Sequence, residues 1–125
     1  MTVQLRGRDG TRVDVPCLID TGSTGGLSLP RDLLRTAPGI TSVPATSGSG
    51  VRGVGGMLRT TRTWVHTADL LGHAFADVPA SFEDIPVKDA NGDMIGRIGQ
   101  KLLSRMRLTF DVPGGGVVYA IRVAP

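Results

Sequence analysis

The sequence has 125 residues, 40% of them hydrophobic, with a mean hydropathy of +0.07, which fits one globular domain of modest core size and excludes a disordered chain. The formal net charge is +3 and the pI about 9.8, yet Arg6, Arg12, Arg31, Arg52, Arg62, Arg97 and Arg122 are dispersed and lack interleaved aromatics, which argues against a nucleic-acid partner. No segment has the apolar length of a membrane span, so no membrane partner is expected either.

The N-terminal stretch Met1 to Arg6 carries no basic patch followed by a long apolar core, so no signal peptide is visible. The expected location is cytoplasmic, or the chain is an excised domain of a larger exported or membrane-anchored protein. The single Cys17 excludes an internal disulfide and a cysteine-based zinc cluster, and its place in an apolar run marks it as a small core residue. Aromatics are 4% of the chain and glycine contributes 18 residues. The core is therefore expected to be Val, Leu, Ile and Ala on an extended, turn-rich backbone.

In chain order, Thr2 to Arg6 and Thr11 to Ile19 read as strands joined at the Asp9-Gly10 turn. The apolar run Val15 to Ile19 carries Asp20 out to its end, followed by Thr21-Gly22-Ser23-Thr24-Gly25-Gly26 and a second apolar run, Leu27 to Leu29. A carboxylate at the end of a buried strand is costly unless the loop donates hydrogen bonds to it, and Thr21, Ser23 and the backbone around Gly22 are available donors. These residues alone fit two readings, an Asp-Thr-Gly turn and an active-site acid. Pro30 to Thr36 predicts one or two helical turns starting at the proline, with Pro38-Gly39 as the stop.

Gly48, Gly50 and Gly53 match the spacing of a dinucleotide fingerprint, but a strand-like segment, Met57 to Val65, follows where that motif needs a helix. A glycine-tipped β-hairpin fits better. Thr60 to Leu71 and His73 to Phe82 read as strands joined near Leu71-Gly72-His73, with Trp64 packed along a strand face and His66 and His73 as surface or turn residues. No metal site is expected from those histidines, and Asp89-Ala90-Asn91-Gly92-Asp93 reads as a solvated turn rather than a calcium loop. Next come a strand ending at Gly99, a short helix from about Gln100 to Met106 with Leu102, Leu103 and Met106 as its apolar face, and strands Leu108–Val112 and Val117–Val123 about a Pro113–Gly116 turn.

Three features stand in order: an apolar strand into Asp20-Thr21-Gly22-Ser23, a glycine-tipped hairpin at Gly50 to Gly56, and Ile98-Gly99 leading into a Leu102-Leu103 helix. This order resembles the retropepsins, the retroviral-type aspartic proteases, and their bacterial relatives, collinearly from about Val3 to Asp111. The resemblance implies a single all-β domain over residues 1–125, a closed barrel or sandwich with a β-hairpin flap and one or two short helices.

It also implies an aspartic endopeptidase whose site is shared between two protomers of a homodimer, acting on a polypeptide substrate without cofactor or metal. Asp20 would be the catalytic acid. Thr21 would brace the two loops across the dimer, Gly22 would allow close backbone approach, and Ser23 sits where the family often places a hydrogen-bonding partner of the outer carboxylate oxygen. Gly53, Val54, Gly55 and Gly56 would form the flap, and Ile98, Gly99, Leu102 and Leu103 the second signature. The chemistry is self-consistent. Two carboxyls about 3 Å apart cannot both ionise, so one takes a proton from water while the other polarises the scissile carbonyl. The alternative is a non-catalytic peptide-binding or dimerisation module on the same scaffold.

The sequence departs from the family pattern in places. The flap has no aromatic, so only backbone near Val54 and Gly55 would reach substrate. Arg97 precedes Ile98 where an aliphatic is usual, and Gln100-Lys101 follow Gly99, which bears on the packing of the helix. The Leu108–Val123 portion reads as a local hairpin rather than an interleaved terminal strand, as in bacterial relatives.

Overall fold

Alternation along the first strands sets the inside of the molecule. In β1 (Thr2–Arg6), Val3 and Leu5 are buried between more exposed neighbours. β1 pairs antiparallel with β2 (Arg12–Ile19), matching Val3 with Val15 and Leu5 with Val13. The turn between them depends on Gly10, whose φ of +89° favours glycine, and on the Asp9 carboxylate, which accepts the Thr11 N–H at 2.9 Å. The computed structural model describes residues 1–42, 46–47, 51–53, 56–58, 60–84, 87–111, 113 and 117–123, with 46–47, 51–53, 56–58, 87 and 117–122 described as backbone.

The next elements are β3 (Leu27–Pro30), α1 (Leu33–Thr36) and a 3₁₀ turn at Pro38–Ile40. β4 (Thr46–Ser47), β5 (Val51–Gly53) and β6 (Gly56–Leu58) precede the long strands β7 (Thr60–Leu70) and β8 (His73–Glu83). β9 (Val87–Lys88), β10 (Met94–Ile98), α2 (Gln100–Leu103), β11 (Met106–Asp111) and β12 (Val117–Arg122) complete the order. The fold is all-β with short helices.

The main sheet runs β1-β2-β10-β3-β8-β7-β4, and β1 also pairs with β7, so the strands from β1 round to β7 form a closed barrel. Closure removes the sheet edges that would otherwise be open to pairing. Arg6 and Asp69 sit near that closing seam and form a two-pronged ion pair, 2.6 and 3.0 Å. The barrel interior is aliphatic with two phenylalanines, Phe75 and Phe82, both fully buried. β7 and β8 turn at Leu71 and Gly72, with φ of +49° and +81°, the two-residue hairpin geometry that matches strand twist. β5–β6 and β11–β12 form separate two-stranded ribbons. Among the described residues, no helix is long and apolar enough to cross a membrane.

The structure moves several predicted boundaries. Pro30 is the buried last residue of β3 instead of a helix start, and the helical turn begins after Asp32. The α-helix ends at Thr36, just before the Pro38-Gly39 stop, and Pro38 then opens the 3₁₀ turn that delivers Ile40 into the core. The predicted Gln100–Met106 helix ends at Leu103, because Met106 is drawn into β11 and buried there. The face along which Trp64 lies is the outer one, opposite Pro79. β7 alternates, with Thr63 and Val65 inward, so Trp64 faces out and is 49% exposed.

Phe82 lies at the centre of the barrel with no exposed surface. Its replacement by alanine is expected to cost about 3–5 kcal/mol, read as a lowered urea midpoint.

Candidate active site

Strand β2 carries the chain to the site with alternating faces: Cys17 points into the core, Leu18 points out and is 51% exposed. β10 lies parallel to β2, matching Gly96 with Cys17, Arg97 with Leu18 and Ile98 with Ile19. On its other side β10 runs antiparallel to β3, matching Arg97 with Ser28 and Ile98 with Leu27. β10 therefore sits between the two arms of the 20–26 loop, and Arg97 falls on the outward face with Leu18.

This wedge fixes the loop through its backbone. The Asp20 N–H donates to the Ile98 carbonyl at 2.9 Å, and the Gly99 N–H to the Gly26 carbonyl at 2.7 Å. The first N–H groups of α2, which have no partner within the helix, go to the loop as well: Gln100 to Ser23 O at 2.8 Å and Lys101 to Gly25 O at 3.0 Å. The Gln100 side-chain amide donates to the Thr21 carbonyl at 2.8 Å. Leu102 and Leu103 are buried behind this contact and anchor α2 in the core.

Two glycines make the approach possible. A Cβ on Gly96 would meet Cys17 Sγ at 2.8 Å and the Ser28 carbonyl at 2.9 Å. A Cβ on Gly99 would strike the Gly25 carbonyl and stand 2.9 Å from Ser23 Oγ. The second-signature residues Ile98, Gly99, Leu102 and Leu103 are thus all brought to the loop, and Arg97 does not disturb their packing because it faces the opposite way.

The Asp20 carboxylate stands at the top of this platform, with about a third of its side chain exposed. Its Oδ1 accepts the Gly22 N–H at 3.1 Å. The bond onto the carboxylate thus comes from Gly22 and not from the Ser23 hydroxyl. Ser23 uses its N–H on the Asp20 carbonyl at 3.1 Å. Thr21 and Gly22 are exposed at the tip of the loop.

The other carboxylate oxygen, Oδ2, lies 3.8 Å from Arg97 Nη1, an ion-pair distance too long for a hydrogen bond. Arg97 Nη2 is held by both oxygens of Glu83, at 3.1 and 3.0 Å. One guanidinium therefore bridges two carboxylates, one from the loop after β2 and one from β8. Arg97, Glu83 and Gln100 were not among the predicted site residues. The available signal for Arg97 was a charged residue inside an otherwise apolar strand.

The hairpin β5–β6 pairs Val51 with Leu58, Arg52 with Met57 and Gly53 with Gly56. Gly53 and Gly56 face each other across a two-residue connection, and Val54 and Gly55 lie outside the described residues. No cluster of three or more His, Cys, Asp or Glu residues placed to hold a metal occurs among the described residues. The arrangement offers an accessible carboxylate on a rigid loop, able to accept a proton from a bound water.

No protein-family model and no curated protein matches the sequence. Solved structures share its fold. The EIAV protease, in complex with the inhibitor HBY-793, matches with a TM-score of 0.56 at 23% identity over 83% of this chain and 83% of that one. A retropepsin-like aspartic protease from Rickettsia conorii matches with a TM-score of 0.57 at 15% identity over 95% of this chain and 96% of that one. The barrel described above is a retropepsin-like fold.

The clamp and the buried thiol each give an expected outcome. Gly99→Ala should lower stability by about 1–3 kcal/mol in urea unfolding, since the methyl group must displace the Gly25 backbone as well as the Ser23 hydroxyl. Burial pushes the Cys17 thiol up to about 11 from an ordinary value of 9.0. The unfolded thiol ionises first, so stability should be full below pH 9 and fall as pH rises toward 11. Cys17→Ala should flatten that alkaline slope when urea midpoints are compared across the interval.

Proposed function

We propose that this chain is an aspartic endopeptidase that hydrolyses peptide bonds with a water activated between two Asp20 carboxylates, one from each protomer of a homodimer. The observation that carries the reading is the placing of Asp20: an accessible carboxylate, hydrogen-bonded by the Gly22 amide, on a loop locked by β10 and α2. One carboxylate accepts the proton of water, while a second, protonated carboxyl polarises the scissile carbonyl. A two-fold axis supplies that second group from an identical chain. The pair titrates as a unit.

In this reading Thr21, exposed at the loop tip, braces the two loops across the axis. Ser23 and Gly22 shape the loop beneath the carboxylate. The hairpin carrying Gly53, Val54, Gly55 and Gly56 acts as the flap over an extended substrate, held mainly by main-chain hydrogen bonds. Likeness to the EIAV and Rickettsia proteases supports the same class of reaction. The mechanism requires neither cofactor nor metal.

One observation favours the alternative, a non-catalytic peptide-binding or dimerisation module: Asp20 is already paired with Arg97, which places a cation beside the carboxylate. An ion pair this exposed is weak, about 0–1 kcal/mol, so substrate or a second protomer can displace it.

Asp20→Asn separates the two readings. Cleavage of an unstructured polypeptide should drop at least about 100-fold while circular dichroism and dimer formation are retained. Unchanged cleavage would place the acid elsewhere. Mixing wild-type protein with excess Asp20→Asn protein should lower activity faster than simple dilution, because mixed dimers hold a single carboxylate. Strict monomers in sedimentation equilibrium that still cleave peptides would rule out the shared site.

A further inference from the structure

The peptide unit between Thr21 and Gly22 is bonded at both ends. Its N–H, on Gly22, donates to Asp20 Oδ1 at 3.1 Å. Its carbonyl, on Thr21, accepts the Gln100 side-chain amide at 2.8 Å. A peptide unit is planar, so fixing its carbonyl fixes the direction of its N–H. The three groups form one line of dipoles, from the Gln100 amide through the Thr21–Gly22 plane to the carboxylate. Bonds in such a chain polarise one another in the same sense. A carbonyl oxygen only accepts, so the end of the Gln100 side chain turned toward it is the NH₂ group.

This tie differs in kind from the rest of the clamp. The carbonyls of Ser23, Gly25 and Gly26 are held by main-chain N–H groups of residues 99–101, which a change of side chain leaves in place. The Thr21 carbonyl is held by a side chain instead. Thr21 and Gly22 are both exposed, so packing contributes little to holding their shared plane. Glycine at position 22 sharpens the need. Reversing the plane requires large changes in Thr21 ψ and Gly22 φ, and glycine allows φ of either sign at little steric cost. A reversed plane turns the N–H away from Asp20 and the carbonyl dipole toward it.

We propose that Gln100 is a positioning residue for the Asp20 carboxylate: its side-chain amide fixes the Thr21–Gly22 plane so that the Gly22 N–H stays on Asp20 Oδ1. Gln100 acts through that plane and touches no reacting atom. That the carboxylate so held is catalytic rests on the protease reading; that Gln100 holds the plane does not.

Gln100→Met keeps the length of the side chain and removes the donor, while the N–H of residue 100 still reaches the Ser23 carbonyl. Gln100→Lys restores a donor of comparable reach. Amide hydrogen exchange followed by NMR reads the plane directly, because the Gly22 N–H lies at an exposed tip and its protection comes from the bond to Asp20. In Gln100→Met the Gly22 amide should exchange at least about tenfold faster than in the wild type, with the amides of Gly99 and Lys101 and the urea midpoint unchanged. In Gln100→Lys the Gly22 rate should return to within about threefold of the wild type. A Gly22 rate that does not move in Gln100→Met, one that rises together with Gly99 and Lys101, or one that lysine fails to rescue overturns the proposal.

Cleavage tells the two readings apart. A misdirected carboxylate costs turnover more than substrate binding, so Gln100→Met should lower kcat about tenfold, leave KM within about twofold and leave dimer dissociation unchanged. Lysine should restore kcat. A wild type that cleaves and a Gln100→Met variant that cleaves as fast defeat the positioning role alone. Faster Gly22 exchange in Gln100→Met, rescued by lysine, with no cleavage by the wild type defeats the protease reading alone.

Discussion

The structure depends on a backbone clamp. Two strands far apart in sequence, β2 and β10, lie parallel, and the helix that follows β10 spends its unpaired N–H groups on the carbonyls of the 20–26 loop. Each such bond contributes a net of about 0.5–1.5 kcal/mol, and together they hold a loop rich in glycine that would otherwise sample many conformations. The cost is steric. β10 can enter only because residues 96 and 99 have no side chain, and the helix can follow only because Leu102 and Leu103 sink into the core. An acid on a mobile loop is a surface carboxylate; the same acid on a clamped loop has a fixed direction.

Charge is the second constraint. Asp20, Arg97 and Glu83 form a row from the loop after β2 to β10 and β8, with the cation in the middle. The guanidinium is bound firmly on one side, by both Glu83 oxygens, and loosely on the other, 3.8 Å from Asp20. That asymmetry keeps Arg97 in place while leaving the Asp20 carboxylate free to take other partners. Arg97 and Leu18 also share the outward face, so a chain passing over Asp20 meets an apolar and a charged side chain next to each other.

Much of this was legible in the sequence. The hairpin into Asp20 follows from alternation and the Asp9-Gly10 turn, and the β7–β8 pair from Leu71-Gly72; the clamp does not, because it rests on the parallel register of two strands remote in the chain. What the sequence hid has physical causes. Pro30 closes β3 instead of opening a helix because proline is compatible with a strand end and a helix start alike, and burial of its neighbours decides between them. Met106 carries no local mark of strand or helix; its burial in β11 decides. Which face of its strand Trp64 takes is set by the pleat of β7, which turns it outward. The Asp20–Arg97–Glu83 row was invisible because its members are remote in the chain and meet only through sheet register.

The parallel pairing of Cys17 with Gly96 has a consequence for when the site comes into being. Within the first half of the chain the loop has its own Ser23–Asp20 bond, whereas the carbonyls of Thr21, Ser23, Gly25 and Gly26 find their donors in residues 99–101. A ribosome-bound or truncated chain lacking those residues has the acid but not its geometry. Long-range pairing of this kind also folds slowly, since the closure entropy must be met before the contacts form. The Asp20 loop is therefore among the last features to be ordered during synthesis, after nearly all of the barrel has been made.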